Sequence, residues 1–429
     1  MFGISFRYRV IAVKAVAVTM LALSATLSSC SDAPGANADA AQVDAPPPPI
    51  AKITTIAGRN GDQTGFADGD GAAARFYWPE GLVLDPTGEH LYIADSENHA
   101  IRKLTLATNQ VTTVAGIGGV PGRNDTIVES NRSSPARLDT PRNLILAPDG
   151  KYLWFTDTGN FAIRQVEIAT GTVVTVFGKL GVAGNADGIG TDALFGKSGL
   201  GNPWGGGMII DQRNPAQPMM YVADSANQII RAIDLTSKQV TTIAGTPGVA
   251  GALDGVGPAA TFNKPAGLML KGNTLFITEA NNIDIRALDL PTGAVTTVAG
   301  AAPKNPKHFC ENISPVLPPE CEWIDSTDGR SARFRFPFGV GFDGSNGFYM
   351  ADSHNNVIRH FDMTTSAVTT VAGAQSTVLD DFSRASNDSS ANTAGTFSHP
   401  SHVVFQAPNI LYVADRSANC IRKVELGVP

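Results

Sequence analysis

One short phrase returns six times along the chain and constrains its fold more than any other feature. The first copy is Ile53-Thr-Thr-Ile-Ala-Gly58. The later copies begin at Val111, Val173, Val240, Val295 and Val368, so that successive copies start 58, 62, 67, 55 and 73 residues apart. A period of this size is typical of an array of supersecondary units that bury their faces against one another.

Each unit has the pattern of four short strands. In the first unit, apolar and polar residues alternate along 79–85, 91–95, 100–106 and 111–116, and Gly, Pro and Asn mark the turns between them. Four-stranded sheets repeated around an axis form a β-propeller. The chain opens on the repeated phrase before any complete unit, and its last unit ends without one. We therefore predict an all-β, six-bladed propeller in which strand 53–58 completes the last blade and removes the open edges.

An acid ends the second strand of each unit, and an Arg follows it seven residues later. The pairs are Asp95/Arg102, Asp157/Arg164, Asp224/Arg231, Glu279/Arg286, Asp352/Arg359 and Asp415/Arg422. Two such side chains face each other across a hairpin, where a bidentate ion pair can form. Because the pair recurs in every unit, we interpret it as part of the scaffold and not as a catalytic pair.

These runs resemble the NHL repeat family of six-bladed propellers. The resemblance rests on Asp-x-x-Asn-x-x-Ile-Arg at 95–102, 157–164, 224–231 and 352–359, with Glu in place of Asp at 279–286. The sixth unit departs from the pattern, because Ala418 stands where Asn is expected and Asn419 comes one place late. The resemblance covers the predicted propeller domain, 52–429. Asp-Gly loops before the inner strands also resemble the variant found in bacterial surface proteins and teneurin-like propellers.

The first 29 residues have the composition of a secretory signal. Three basic residues precede an apolar run at 15–27, and the segment ends in Leu-Ser-Ser-Cys, which resembles the lipobox of bacterial lipoproteins. We expect residues 1–29 to be a lipoprotein signal peptide and Cys30 to carry the lipid. The alternative is a plain signal peptide with an incidental cysteine.

A segment rich in Ala, Asp and Pro follows at 30–51. Such a composition cannot bury a core, and we expect an extended tether that reaches roughly 60 Å from a membrane. Ser31, in place of the Asp that retains some lipoproteins at the inner membrane, favours the outer membrane of a bacterial envelope, facing the periplasm or the exterior.

The charge of the chain argues against polyanionic partners. The net charge is -7, and cleavage after residue 29 would remove three cations and no acid, leaving -10. An acidic chain without a basic stripe argues against nucleic acid and against electrostatic binding to anionic lipid. Contact with a membrane is expected through acyl chains on Cys30.

The remaining cysteines suit an exported protein. Cys310 and Cys321 lie in one long loop, and we predict a disulfide between them. Cys420 occupies a strand position that is Ala, Ile or Val in most other units, so we expect it to be a small buried hydrophobic residue.

The loops after the outer strands carry Asp-Gly pairs at 68–69, 187–188, 254–255 and 328–329. We interpret these pairs as turns, each followed by a hydrophobic anchor. The anchors are Phe76, Leu138, Phe195, Phe262, Phe334 and Phe397. Calcium binding by Asp68 and Asp70 is the alternative, although the further acids of an EF-hand loop are missing.

The residues that follow the first Pro of each inner strand are expected to ring the mouth of the central channel. The candidate binding residues there are Glu80, Arg142, Asn143, Trp204, Phe338 and His402. His99 and His354 fall within the Asp-x-x-Asn turns, and we expect them at the surface.

Enzymes with related folds provide a test of catalysis. Peptide-amidating lyases place several His around zinc, whereas His402 alone has such a position here. Calcium-dependent lactonases such as gluconolactonase use acids and Asn inside the channel, where Glu80 and Asn143 are available. No metal site or catalytic residue can be assigned from these positions.

The sequence therefore favours a binding or scaffolding module over an enzyme. Its expected partner is an envelope or extracellular protein or a glycan, with no nucleic acid and no cofactor. The alternative is a metal-dependent hydrolase or lyase with its site in the channel, and a purely structural envelope protein is a third interpretation.

Overall fold

Antiparallel sheets succeed one another around a ring in the computed structural model, which describes residues 51–59, 64–129, 132–198, 206–300, 323–374, 386–389 and 395–427. All of them fall within one unit, Pro48–Pro429. The described residues form six blades, and the first strands of neighbouring blades contact one another around a central channel. The predicted all-β, six-bladed propeller is confirmed.

Each blade runs outward from the channel through four strands. The first strands are Pro79–Leu84, Pro141–Leu146, Met208–Asp211, Pro265–Lys271, Pro337–Phe342 and Pro400–Gln406. The second strands are His90–Asp95, Tyr152–Asp157, Met219–Asp224, Thr274–Glu279, Gly347–Asp352 and Ile410–Asp415. The third strands are Ala100–Thr105, Ala162–Glu167, Ile229–Asp234, Asp284–Asp289, Val357–Asp362 and Cys420–Glu425. The outer strands are Gln110–Gly116, Val173–Phe177, Gln239–Ala244, Ala294–Ala299, Val368–Ala372 and, for the sixth blade, Lys52–Gly58.

Short elements lie in the connecting segments. Single 3-10 turns follow four of the second strands, at Ser96–Asn98, Thr158–Asn160, Ser225–Asn227 and Ser353–Asn355. Others precede first strands, at Gly190–Asp192, Gly257–Ala259 and Gly329–Ser331. Two-residue strands Gly188–Ile189 and Gly255–Val256 extend the third and fourth blades, and Ile127–Glu129 pairs with Arg132–Ser134 in a loop hairpin. None of the helices in the described part of the chain has the length and apolarity that crossing a bilayer requires.

The ring is closed by the two ends of the propeller. Lys52 lies opposite Glu425 and Gly58 lies opposite Cys420 in an antiparallel pair, so the N-terminal strand is the outer strand of the sixth blade. This confirms the predicted closure. The signal peptide 1–29 with Cys30 and the pair Cys310 and Cys321 lie outside the described residues.

Hydrophobic side chains fill the spaces between neighbouring blades. The predicted anchor residues are all buried, with Phe76, Leu138 and Phe262 completely so. Each anchor belongs to a cluster that draws on two adjacent blades, as Phe76 does with Leu91 and Tyr412. Burial of this apolar surface is the main force that holds blade against blade.

Every Arg of the sixfold pair is fully buried and is clasped by two carboxylates. In the first blade Arg102 Nη1 donates to Asp95 at 2.6 Å, as the sequence predicts, and its Nη2 donates to Asp68 at 2.7 Å. The second carboxylate recurs in all six blades, at Asp68, Asp125, Asp187, Asp254, Asp325 and Asp388. We call this arrangement the arginine clasp.

The clasp explains why every copy of the repeated phrase has Thr at its third position. Thr113, the third residue of its copy, donates from Oγ1 to Asp68 at 2.9 Å and from its backbone N–H at 3.1 Å. The equivalent hydroxyls all bond to the second carboxylate of their blade, at Thr55, Thr175, Thr242, Thr297 and Thr370. An Asp-Gly pair therefore does not always mark the second carboxylate of the clasp. In the fifth blade Asp325 joins the clasp, while Asp328 caps the turn at Gly329–Ser331.

A residue with left-handed backbone follows each Asp-x-x-Asn turn, and in four blades its side chain bridges to the next blade. His99 Nδ1 accepts the N–H of Thr140 at 3.1 Å, and Asn419 Oδ1 accepts the N–H of Trp78 at 3.0 Å. The other two bridges are Gln228 to Lys264 and Asn356 to His399. At the same position Phe161 and Ile283 have no acceptor atom.

The structure corrects the sequence expectations for His99, His354 and Asn419. His99 is not a surface residue, because its side chain is only 12% exposed and is engaged between blades. His354 is half-buried, since its ring stacks on Phe336 at 4.1 Å. Asn419 is not a displaced copy of the repeat Asn but the bridging residue of the sixth blade, where Ala418 leaves the usual Asn place apolar.

The arginine clasp yields a stability test with a matched control one residue away. Replacing Thr113 with Val removes a hydroxyl that donates to the Asp68 carboxylate, which should lower the free energy of unfolding by about 1–2 kcal/mol. Thr112→Val removes a hydroxyl outside the clasp and should change it by less than about 0.5 kcal/mol. Urea unfolding followed by tryptophan fluorescence measures both, and equal effects of the two variants would contradict the role given to Thr113.

Candidate functional site

The channel mouth brings five of the six predicted binding residues together. Glu80, Arg142, Asn143, Phe338 and His402 line one small cavity of about 30 Å³ where the first strands begin. The sixth, Trp204, lies outside the described residues. Each of the five comes from the first two positions after the strand-opening Pro, which is why the sequence could group them.

Glycines make this mouth narrow. A Cβ on Gly81 would lie 2.1 Å from the carbonyl oxygen of Arg142, and one on Gly339 would lie 2.3 Å from Cδ2 of His402. These distances are shorter than any allowed contact, so only glycine lets neighbouring first strands approach so closely. The mouth is therefore a constriction and not an open basin.

A buried acid at the mouth is held by two arginines. The Glu80 carboxylate lies 3.1 Å from Nη1 of Arg142 and 3.0 Å from Nε of Arg416. Burial is the largest influence on Arg142 and lowers its pKa, while Glu80 opposes that shift. The Arg416 guanidinium also lies 4.0 Å from the ring centroid of Trp78, within cation–π range.

Sequence reasoning missed Arg416 and Trp78. The residue after the second-strand acid is small in the other five blades, whereas the sixth blade has Arg416 there. The small residues are Ser96, Thr158, Ser225, Ala280 and Ser353. Such a departure from an otherwise regular repeat is the signal that could have found it. Trp78 precedes Pro79 directly and has φ of 54°, a left-handed conformation shared with Thr140, Lys264, Phe336 and His399 at the same place.

His402 lies between the mouth and a larger space inside the channel. Burial lowers its pKa to about 4, so the imidazole is neutral at physiological pH. Its Nδ1 is buried and has no hydrogen-bond partner among the described residues. The inner space, about 160 Å³, is lined by residues of the first strands, and His402 and Asn143 are the polar side chains in its described lining.

The carboxylates considered for metal binding are engaged in protein contacts. Asp68 belongs to the arginine clasp, and Asp70 accepts the N–H of Ala73 at 3.2 Å. Within the residues that the structure describes, no group of three or more His, Cys, Asp or Glu side chains is placed to hold a metal ion. At the mouth itself, Glu80 is the acid in the described lining, and its carboxylate is paired with Arg142 and Arg416.

Cys420 is buried with its thiol free, as the sequence predicts. Burial is the main cause that raises the pKa of Cys420 to about 12, which leaves the thiol protonated and unreactive at neutral pH.

A second buried acid in the fourth blade was missed by sequence reasoning. Asp284 begins the third strand at a place that is Ala100 or Ala162 in the first two blades, and its buried carboxyl lies within hydrogen-bonding reach of the Glu279 carboxyl. Burial first, and the nearby Glu279 second, raise the pKa of Asp284 well above its ordinary value. An acid at a position that is apolar in the other five blades was the available sequence signal.

Comparison with known proteins agrees with the repeat pattern. Residues 76–104 match the NHL repeat. The chain is 27% identical to NHL repeat-containing protein 2 of Bos taurus, in an alignment that covers 55% of this chain and 42% of that relative. The chain thus spans less than half the length of this relative.

Solved structures support the same fold. A protein of unknown function from Bacteroides thetaiotaomicron has a TM-score of 0.60 at 18% identity, covering 88% of this chain and 76% of that one. An auxiliary nutrient binding protein from the same species has a TM-score of 0.59 at 18% identity, covering 87% and 76%. At these identities the likeness shows the fold alone, and with the NHL match it confirms the resemblance to NHL-repeat propellers.

The raised pKa of Asp284 leads to a pH-dependent stability prediction. Well below its ordinary pKa of 3.8, the acid is neutral in both the folded and the unfolded chain. As the pH rises through 3.8, the unfolded chain ionises first, so the native state loses stability. Asp284→Ala should therefore raise the melting temperature at pH 7.5 and raise it much less at pH 4.5. Ala162→Gly at the equivalent place is the pH-independent control, and a gain from Asp284→Ala that is the same at both pH values would contradict the assignment.

Proposed function

The chain is a six-bladed β-propeller of the NHL type, and from that premise we propose that it is a protein-binding module tethered to a bacterial envelope membrane. Its partner would be an envelope or extracellular protein that docks on the face formed by the Asp-x-x-Asn turns and the loops after the outer strands. We call this surface the loop face.

Exposed apolar side chains on the loop face carry this proposal. Val120, Val182 and Val249 occupy the same turn in three successive blades and are 36%, 39% and 46% exposed. The glycine before each donates to the carbonyl of the Asn that ends the 3-10 turn, as Gly119 does to Asn98 at 3.1 Å. This repeated bond holds the three valines at equivalent places on one face of the ring.

Further apolar groups extend this surface. Phe66 is 40% exposed and packs directly against Gly118, two residues before Val120. Tyr77 is exposed beside Trp78, near the constricted mouth. Exposed apolar groups that lie together on loops of a rigid scaffold are typical of protein interfaces.

The charge of the chain favours the same class of partner. An acidic protein is repelled by nucleic acid and by anionic lipid, whereas apolar and aromatic contacts with a polar rim are the usual basis of protein–protein recognition. The cavity at the mouth has a volume of only about 30 Å³, which favours a partner that lies across the face over a large ligand bound inside it.

Attachment to the membrane completes the proposal. It rests on the lipobox-like Leu-Ser-Ser-Cys that ends the apolar run and on the extended composition of 30–51. Two or more acyl chains hold a protein at a bilayer where one chain alone binds reversibly. A tether of roughly 60 Å would leave the loop face free to meet partners in other parts of the envelope.

Introducing charges into the apolar turns tests the loop face. The triple variant Val120→Asp, Val182→Asp and Val249→Asp should reduce partner crosslinking in intact cells at least tenfold, because three desolvated contacts become buried charges. Val174→Asp, on the exposed outer strand of the second blade, is the matched control and should leave crosslinking unchanged. Unaltered melting temperatures show that both variants fold, and equal crosslinking by the two would exclude the loop face.

Lipid attachment has its own test. Cys30→Ser should abolish incorporation of an alkyne-labelled fatty acid and move the protein from the membrane fraction to the soluble fraction. Cys420→Ala, which replaces a buried thiol with the residue found at this place in the first two blades, should keep both the label and the membrane location. Label retained by Cys30→Ser would contradict the lipoprotein interpretation.

A further inference from the structure

The fourth blade contains one buried acid more than the other blades. Its arginine clasp consists of Arg286 with Glu279 at 2.7 Å and Asp254 at 2.8 Å. Asp284 adds a third carboxyl, which is completely buried and lies opposite Glu279 in the paired second and third strands. The other five blades begin their third strands with an apolar residue. Three acids therefore share one guanidinium here, whereas two share it in the other clasps.

The extra carboxyl is expected to hold a proton. Burial raises the pKa of Asp284 and that of Glu279 above their ordinary values. Of the charged groups around Asp284 in the described part of the chain, Glu279 and Asp254 raise its pKa and Arg286 lowers it. Because the two buried carboxyls lie within hydrogen-bonding reach of each other, a protonated Asp284 can donate to the Glu279 carboxylate.

The same cluster holds the loop that joins the third blade to the fourth, residues 245–264, which we call the fourth-blade loop. Arg286 donates to the carbonyl oxygens of Leu253 and Thr261 at 2.9 and 3.0 Å. Glu279 accepts a backbone N–H near the end of the loop. The loop is therefore fastened to its blade through the residues that share the proton.

This loop also displays the most exposed large apolar side chains of the described residues. Leu253 is 66% exposed and Val256 is 59% exposed. Val249, one of the three valines of the loop face, lies on the same loop. A change in how the loop is held therefore changes the apolar surface that the protein presents.

We propose that Glu279, Asp284 and Arg286 form a proton-dependent lock on the fourth-blade loop. With the proton in place, the cluster holds the loop against its blade. When the loop opens, Asp284 meets water and its pKa returns toward the ordinary value of 3.8. Above that pH the open form loses the proton while the closed form retains it, so rising pH favours opening. For one proton, the equilibrium constant for opening rises about tenfold per pH unit until the closed form also ionises.

The lock acts without a partner, so its test is separate from that of the loop face. Opening would displace Val249, and partner binding should then weaken as the pH rises. This last consequence rests on the proposed function, whereas the lock itself is measured on the protein alone.

Hydrogen exchange followed by mass spectrometry at about pH 5 and pH 7 tests the lock. The amides of Gly251 and Thr261 are bonded within the fourth-blade loop, and the third blade has matched amides at Gly184 and Leu194. The third blade has the clasp but not the extra acid, so it measures the pH dependence that every clasp shares. After correction for intrinsic exchange rates, protection in the fourth-blade loop should fall at least tenfold further than in the third blade.

Two substitutions on one strand assign the effect to the shared proton. Asp284→Asn keeps the size of the side chain and stays neutral at every pH, so the pH dependence of the fourth-blade loop should fall to that of the third blade. Asp289→Asn, at the other end of the same strand, should behave like the unaltered protein. Melting curves verify folding of both variants. A fall in protection no greater than that of the third blade, or one that survives Asp284→Asn, would overturn the proposal.

Discussion

The buried guanidinium that each blade holds between two carboxylates ties together parts of the chain that hydrophobic packing alone would not align. In the first blade Arg102 reaches Asp95 on the second strand and Asp68 in the preceding loop, and Thr113 on the outer strand bonds to the same Asp68. One cation thus sets the position of a loop and of three strands. Because a buried guanidinium without its carboxylates is strongly unfavourable, the arrangement disfavours every other placement of that loop.

Desolvation offsets the attraction between the charges of the clasp. Burial raises the pKa of Asp95 to about 6 although Arg102 lies at 2.6 Å, so removal from water outweighs attraction by the arginine. Burial has the same effect on Asp157 and Asp415. The hydrophobic clusters between blades are therefore the main source of stability, and the clasps specify how each loop is held above its blade.

Features that recur at a constant position in each unit could be predicted from the sequence. Contacts between segments that lie far apart along the chain could not. Strand positions, ring closure and the Asp95/Arg102 pairing follow from periodicity. The second carboxylate was missed in every blade. Asp68, Asp187 and Asp254 were interpreted as turn residues, and the loop lengths vary between blades, so no constant spacing links this acid to its Arg. A single sequence gives no distance between such a loop and the Arg it meets.

The candidate site was predictable to a similar extent. Glu80, Arg142 and His402 could be grouped because each follows a strand-opening Pro, which places it at one end of the channel. Arg416 comes from a turn of the sixth blade, and its approach to Glu80 depends on the closed ring. The neutral state of His402 and the volume below it depend on packing between blades, which periodicity does not describe.

The bridging residues after the 3-10 turns divide the ring unevenly. His99, Gln228, Asn356 and Asn419 join four junctions, whereas Phe161 and Ile283 offer no such bond where the second blade meets the third and the fourth meets the fifth. Transient opening should therefore begin at these two seams. Blades three and four would then move as one segment, and amide protons along its borders would exchange sooner than those elsewhere in the ring.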